Sequence, residues 1–207
     1  MKQLLIALLA VTLLFYAMGR QGEPTLQDMM GSLDQSAYQN RTLGVGFRCP
    51  GYRFSGQEEL LKNWNLDPSM LPLPAKDVLE RYISVPVMSA SPSNPYEQAY
   101  ITLVSAGPLA SHLAQLGENE LQEFVRSTLG EEYPDLNLQN SQIASYTIDG
   151  RTMPCIHFSY LPSGLPGYHV MQHVFLSGDC LVFLEARAPS ESSAKYILSH
   201  FFWYHDV

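Results

Sequence analysis

Two turn signals constrain the fold of this chain more than any other feature. Asp149-Gly150 and Ser177-Gly178-Asp179 each separate two apolar, β-rich runs. Asp-Gly pairs supply the positive backbone angles of tight hairpins. The runs are Ile143–Ile148, Met153–Leu161, Gly167–Leu176 and Cys180–Ala188, and the remaining joint, Pro162-Ser163-Gly164-Leu165-Pro166, is also short. A parallel pair needs a crossover of a dozen or more residues, so these strands must be antiparallel neighbours. The last two runs are apolar on both faces. Met171, Phe175, Val182 and Leu184 fall on one side, and Val170, Val174, Leu181 and Phe183 on the other. A sheet buried on both sides calls for cover on both.

The upstream half supplies further strands and the cover. Leu43–Phe54 alternates, with Val45, Phe47 and Cys49 on one face, until Pro50-Gly51 breaks it into a strand, a turn and a short second strand. Gln57–Trp64 gathers Leu60, Leu61 and Trp64 at helical spacing, and Asp67–Pro74, with three prolines, reads as a loop. Tyr82–Ala90 and Ala99–Ala106 are strands divided by Ser91-Pro92-Ser93-Asn94-Pro95, and Pro86 marks the first as an edge. The clearest helix follows. Asn119 is its expected cap, Gln122 sits in the capping-box position, and Leu121, Phe124, Val125 and Leu129 form its stripe. Gly130 stands where a left-handed C-terminal residue belongs. Glu118, Glu120 and Glu123 crowd its N-terminus. The helix dipole favours anions there, so they read as a solvated face rather than a cation site. Ser190 or Ser192 caps a last helix that buries Ala194, Ile197, Leu198 and Phe201 and closes with Phe202, Trp203 and Tyr204.

The predicted order is β-β-α-β-β-α-β-β-β-β-α. This is an α+β fold: a mainly antiparallel sheet of about six strands covered by helices on both faces, an α/β/α sandwich. No repeat or second composition regime appears, so residues 43–207 read as a single α+β domain, with residues 20–42 as a tether.

Residues 1–19 read as a signal peptide. Lys2 supplies a charge, Leu4–Ala17 runs without one, and Ala17 and Gly19 fit a small-x-small cleavage site. The run is short of the roughly 20 residues that span a bilayer. Retained, it would serve as an anchor and attach the protein to a membrane. The expected location is secreted or extracytoplasmic. No Cys stands at the cleavage site, which excludes lipid modification there.

Charge narrows the partners. Twelve Lys and Arg against twenty Asp and Glu give a net −8. Nucleic-acid binding needs clustered cations, and none occurs. Cys49, Cys155 and Cys180 are distant from one another and form no CxxC. They read as small core hydrophobes, although one pair could bridge in an oxidising compartment. The single sequon, Asn40-Arg41-Thr42, matters only in a eukaryotic secretory route.

From Leu43 to Tyr204 the chain resembles the PsbP-like and DcrB-like superfamily of small extracytoplasmic domains. The features that carry the resemblance are the segment Leu43-Gly44-Val45-Gly46-Phe47-Arg48-Cys49-Pro50, the mid-chain amphipathic helix, the final hairpin around Gly178-Asp179 and the aromatic-rich last helix. Tyr52 stands where such proteins often show Trp, and no lipidation Cys follows the leader. The resemblance implies a non-catalytic accessory or binding module of the cell envelope and brings no catalytic residues.

The search for chemistry agrees. There is no G-x-S-x-G elbow, Walker A loop, H-E-x-x-H or EF-hand loop. Gly44 and Gly46 lack the third glycine of a dinucleotide fingerprint and instead permit a close backbone approach. His157, His169 and His173 lie on adjacent strands with Cys155 two residues before His157. If Pro162 pairs with Gly167, His157 opposes Gln172 and faces away from the other two, and a one-residue slip reverses this. His169 and His173 lie about 13 Å apart along a strand, too far for one ion. Cys155 and His157 share a face, but no carboxylate orients the base. Glu185 and Arg187 form an i, i+2 ion pair or contact a ligand. The expectation is therefore no catalytic residues, no metal and no cofactor, and a module that binds an envelope or extracellular protein or a small ligand. The competing reading is a secreted hydrolase or metal-binding protein using the region of His157, His169 and Cys155.

Overall fold

In the computed structural model, which describes residues 23–34, 36–132, 141–160 and 167–204, the described part of the stretch read as a tether packs into the domain. Thr25 Oγ1 accepts from the Asp28 N–H at 3.2 Å, and the Asp28 carboxylate accepts from the Thr25 N–H at 2.9 Å. This capping box starts α1 (Leu26–Met29). β1 (Ser32–Asp34) and β2 (Ala37–Asn40) follow. Leu26, Met30 and Tyr38 are 0%, 1% and 3% exposed, so this segment belongs to the core. Asn40 is buried too. Its Nδ2 donates to the Met29 carbonyl and Tyr38 Oη, and its Oδ1 accepts from the Leu43 N–H. The leader, residues 1–19, lies outside the described residues. No described helix is long and apolar enough to cross a membrane.

Along the chain come β3 (Val45–Phe47), β4 (Arg53–Phe54), α2 (Gln57–Asn63), α3 (Ala75–Arg81), β5 (Ser84–Ser91) and β6 (Gln98–Ser105). Then follow α4 (Ala110–Leu113), α5 (Glu118–Glu132), β7 (Gln142–Ile148), β8 (Arg151–Tyr160), β9 (Tyr168–Ser177), β10 (Cys180–Ala188), α6 (Glu191–Leu198) and β11 (Phe201–Trp203). The fold is α+β. Its main sheet has seven strands in the order β4-β5-β6-β10-β9-β8-β7, and a second sheet has four, β1-β2-β3-β11. All pairings are antiparallel. Asp149 and Gly150 carry positive φ of 48° and 74°, as the hairpin between β7 and β8 requires. β4 pairs only with Ser91 and Ala90 of β5, so among the described residues no strand lies on the outer side of β5 at Pro86, where a proline is tolerated.

The main sheet is covered on both faces. On one, Met171, Val182 and Leu184 join a core with Leu60 and Leu61 of α2, Val78 of α3, Ile197 of α6 and Phe47 of the small sheet. On the other, Val170, Val174 and Leu181 pack against Leu113 of α4 and Leu121 and Val125 of α5.

Three local readings change. Residues after Pro74 form α3, whose Ala75, Val78 and Leu79 are buried. α5 begins at Glu118 with the Gly117 N–H donating to Glu120 at 2.9 Å, in place of an Asn119 cap, and continues through Gly130. Phe201–Trp203 leaves the last helix and pairs with β3, Phe201 opposite Phe47 and Phe202 opposite Gly46. A Cβ on Gly46 would stand 2.2 Å from the Phe202 ring, so glycine is what lets that ring cross the strand.

Candidate functional site

Strand register decides which side chains share a face. In β8 and β9, His157 opposes Met171 and Phe158 opposes Val170. This is the one-residue slip from the pairing of Pro162 with Gly167, and it turns His157 to the face of His169 and His173. Gln172, Glu185 and Arg187 lie on the opposite face, beneath α5.

That second face holds a cavity of about 260 Å³ between α5 and the sheet. Val104, Phe124, Val125, Leu129, Leu181 and Phe183 make most of its wall. One end is polar. The Gln172 Nε2 donates to Glu185, and the Arg187 guanidinium pairs with the other oxygen of the same carboxylate. The guanidinium also lies 4.9 Å from the centroid of the Tyr100 ring, which meets Trp64 edge-on at 6.1 Å. Gln172 and Glu185 are each 7% exposed. The ion pair read from Glu185 and Arg187 is present, but it is built into a cavity wall. Gln172 Oε1 is buried and has no hydrogen-bond partner. A buried acceptor left unpaired costs about 1–3 kcal/mol.

Pro154 explains why this face has room for α5. It has no N–H to give, and the β8–β9 pairing stops at Ile156 opposite Gln172. Gln122 of α5 supplies the missing bonds. Its Nε2 donates to the Val174 carbonyl at 2.6 Å and its Oε1 accepts from the Val174 N–H at 3.1 Å. Gln122 is therefore a fully buried anchor of α5 on β9 and not a capping residue.

On the other face, His157 Nε2 lies 3.3 Å from His169 Nδ1, and the rings stack at 5.6 Å. Glu191, the first residue of α6, joins them, the three ligand atoms lying within 4.8 Å of one another. Burial pushes the His157 imidazole below its usual range. His173 is elsewhere: its Nδ1 donates to the Pro154 carbonyl at 2.8 Å, and burial lowers its pKa as well. Cys155 is fully buried and its thiol donates to the Met153 carbonyl at 3.7 Å. Desolvation pushes Cys155 up to about 12 and Cys49 up to about 11, so neither is a thiolate at neutral pH. All three cysteines are free; Cys49 and Cys155 are buried, and Cys180 is partly exposed. Sequence reasoning weighed the histidines and Glu185 but not Gln172, Gln122 or Glu191. The available signal for the first was an amide between Val170 and Val174 on one face of β9.

No family model matches the chain, and no curated protein does. Solved structures do resemble it. Cyanobacterial PsbP (CyanoP) from Synechocystis sp. PCC 6803 is 9% identical with a TM-score of 0.45, over 84% of this chain and 96% of that one. A protein from Bacteroides thetaiotaomicron VPI-5482 is 8% identical with a TM-score of 0.41, over 84% and 50% of the respective chains. LpqN of Mycobacterium tuberculosis, involved in cell envelope biogenesis, is 13% identical with a TM-score of 0.37, over 78% and 83%. At such identities the likeness concerns the arrangement of elements alone.

Proposed function

We propose that this chain is an extracytoplasmic accessory module that holds a small amphiphile in the cavity beneath α5 and performs no catalysis. The observation that carries the reading is an apolar cavity in whose lining Gln172, Glu185 and Arg187 come together, Gln172 holding one acceptor that has no partner. Apolar walls with a few convergent polar groups are what ligand sites are made of. The ligand would lay an apolar body along Phe124, Val125 and Leu181 and donate an N–H or O–H to Gln172. Among the described residues no His or Cys lines the cavity, and Glu185 is already bonded to Gln172 and Arg187. The leader residues Leu4–Ala17, with Ala17 and Gly19, support export.

N-phenyl-1-naphthylamine tests this, since it joins apolar rings to one N–H donor and brightens when it leaves water. The full chain should give a saturable rise in fluorescence. Thr128→Trp, which puts an indole at the cavity wall, should weaken binding about tenfold or more, a change of about 1.4 kcal/mol. Gln172→Met keeps the volume and removes the acceptor, so it should cost about twofold to tenfold. Absence of saturable binding, or equal binding by Thr128→Trp, would refute the proposal.

A further inference from the structure

The opposite face of the same sheet carries an independent site. We infer that His157, His169 and Glu191 bind one divalent transition-metal ion of the zinc class. Two nitrogens each about 2.0–2.1 Å from a tetrahedral ion lie about 3.3–3.4 Å apart. His157 Nε2 and His169 Nδ1 lie 3.3 Å apart. The carboxylate of Glu191 completes three ligands within 4.8 Å of one another, and a fourth position stays open.

The elements fix these groups in place. The two histidines are diagonal neighbours across β8 and β9, because His157 opposes Met171. Glu191 opens α6, whose first turn is held by Ser190 accepting from the Ser193 N–H at 3.1 Å. Two imidazoles with one carboxylate suit zinc, copper or nickel and not calcium or magnesium.

An outer partner is also present. Gln142 Nε2 lies 3.4 Å from His157 Nδ1. In the metal-free arrangement the amide donates to Nδ1, and the Nε2–H then donates to His169. An ion on Nε2 takes the place of that proton, and exchange with water protonates Nδ1, so the bound imidazole is the neutral Nδ1–H tautomer. Rotating the Gln142 amide presents its oxygen to that N–H, the orienting contact that metal-bound histidines usually have. Lys195 bonds one Glu191 oxygen at 2.6 Å.

The distances set aside at the level of sequence do not apply. His173, about 13 Å along the strand from His169, is not needed. Cys155 takes no part in the group.

Titration of the full chain with zinc sulfate, followed by calorimetry, tests the site, with cobalt(II) absorption as a second readout. One equivalent should bind, and cobalt should give the intense visible bands of a tetrahedral complex. His169→Ala and Glu191→Gln change partly exposed side chains and should keep the wild-type circular dichroism. Each should weaken zinc binding at least about tenfold and abolish the cobalt bands, while the exposed His112→Ala should change neither. The absence of a saturable equivalent, or binding unaltered in both variants, would overturn the inference. Neither result bears on the cavity, which lies on the other face.

Discussion

A chain that begins at Leu43 should show no cooperative unfolding transition. The deletion removes β2, whose Tyr38, Gln39 and Asn40 pair with Phe47, Gly46 and Val45 of β3. It also removes Leu26, Met30 and Tyr38 from the core, where each is at most 3% exposed. Truncating one buried Leu or Met costs about 2–5 kcal/mol. Whole domains are stable by about 5–15 kcal/mol, so losing several such side chains together exceeds what the fold can spare. The loss of Asn40 further leaves the buried Leu43 N–H without its acceptor. Guanidinium unfolding followed by tryptophan fluorescence checks this. A truncated chain with an unchanged midpoint would show that residues 23–42 are a tether after all.

Phe201→Ala should lower stability by about 3–5 kcal/mol, the cost of emptying a buried phenylalanine site. Phe201 is 1% exposed, and its ring centroid lies 4.8 Å from that of Phe47. It sits in β11, whose partner β3 ties the C-terminus to the small sheet. The substitution therefore empties the seam between that sheet and α6, where Ile197 and Leu198 are also buried. A denaturant midpoint that does not move would mean that β11 lies free of the core.

The C-terminal hairpins were legible because local rules govern them. Asp149-Gly150 and Gly178-Asp179 set the turns, and the apolar residues on both faces of β9 and β10 required cover on both sides. Of the small sheet only β3 was legible, in the alternation of Val45, Phe47 and Cys49. The other strands run three or four residues, too short for a period of two to stand out, and they pair across the whole chain. Phe201, Phe202 and Trp203 follow a helical stripe directly, so they read as its end until β3 is present as a partner. α3 left a trace in Ala75, Val78 and Leu79 at i, i+3 and i+4, hidden behind the prolines before it.

The candidate sites were less legible than the fold. A register is exact to one residue or it is wrong, and the wrong choice sent His157 to the other face. Pro154, which ends the β8–β9 pairing, is the residue that makes Gln122 a strand-bonding side chain. Nothing near Gln122 in sequence announces a partner so far along the chain. Glu191 was visible only as a first-turn acid of α6, and Gln172 as an amide between Val170 and Val174 on one face of β9.

Nuclear Overhauser contacts between N-phenyl-1-naphthylamine and the methyl-labelled full chain test the cavity most directly. The probe's ring protons should contact the methyls of Val104, Val125 and Leu181, and the side-chain amide of Gln172 should shift on binding. Contacts confined to methyls of the opposite face, such as Val182, Leu184 and Ile197, with no shift at Gln172, would contradict a ligand site beneath α5.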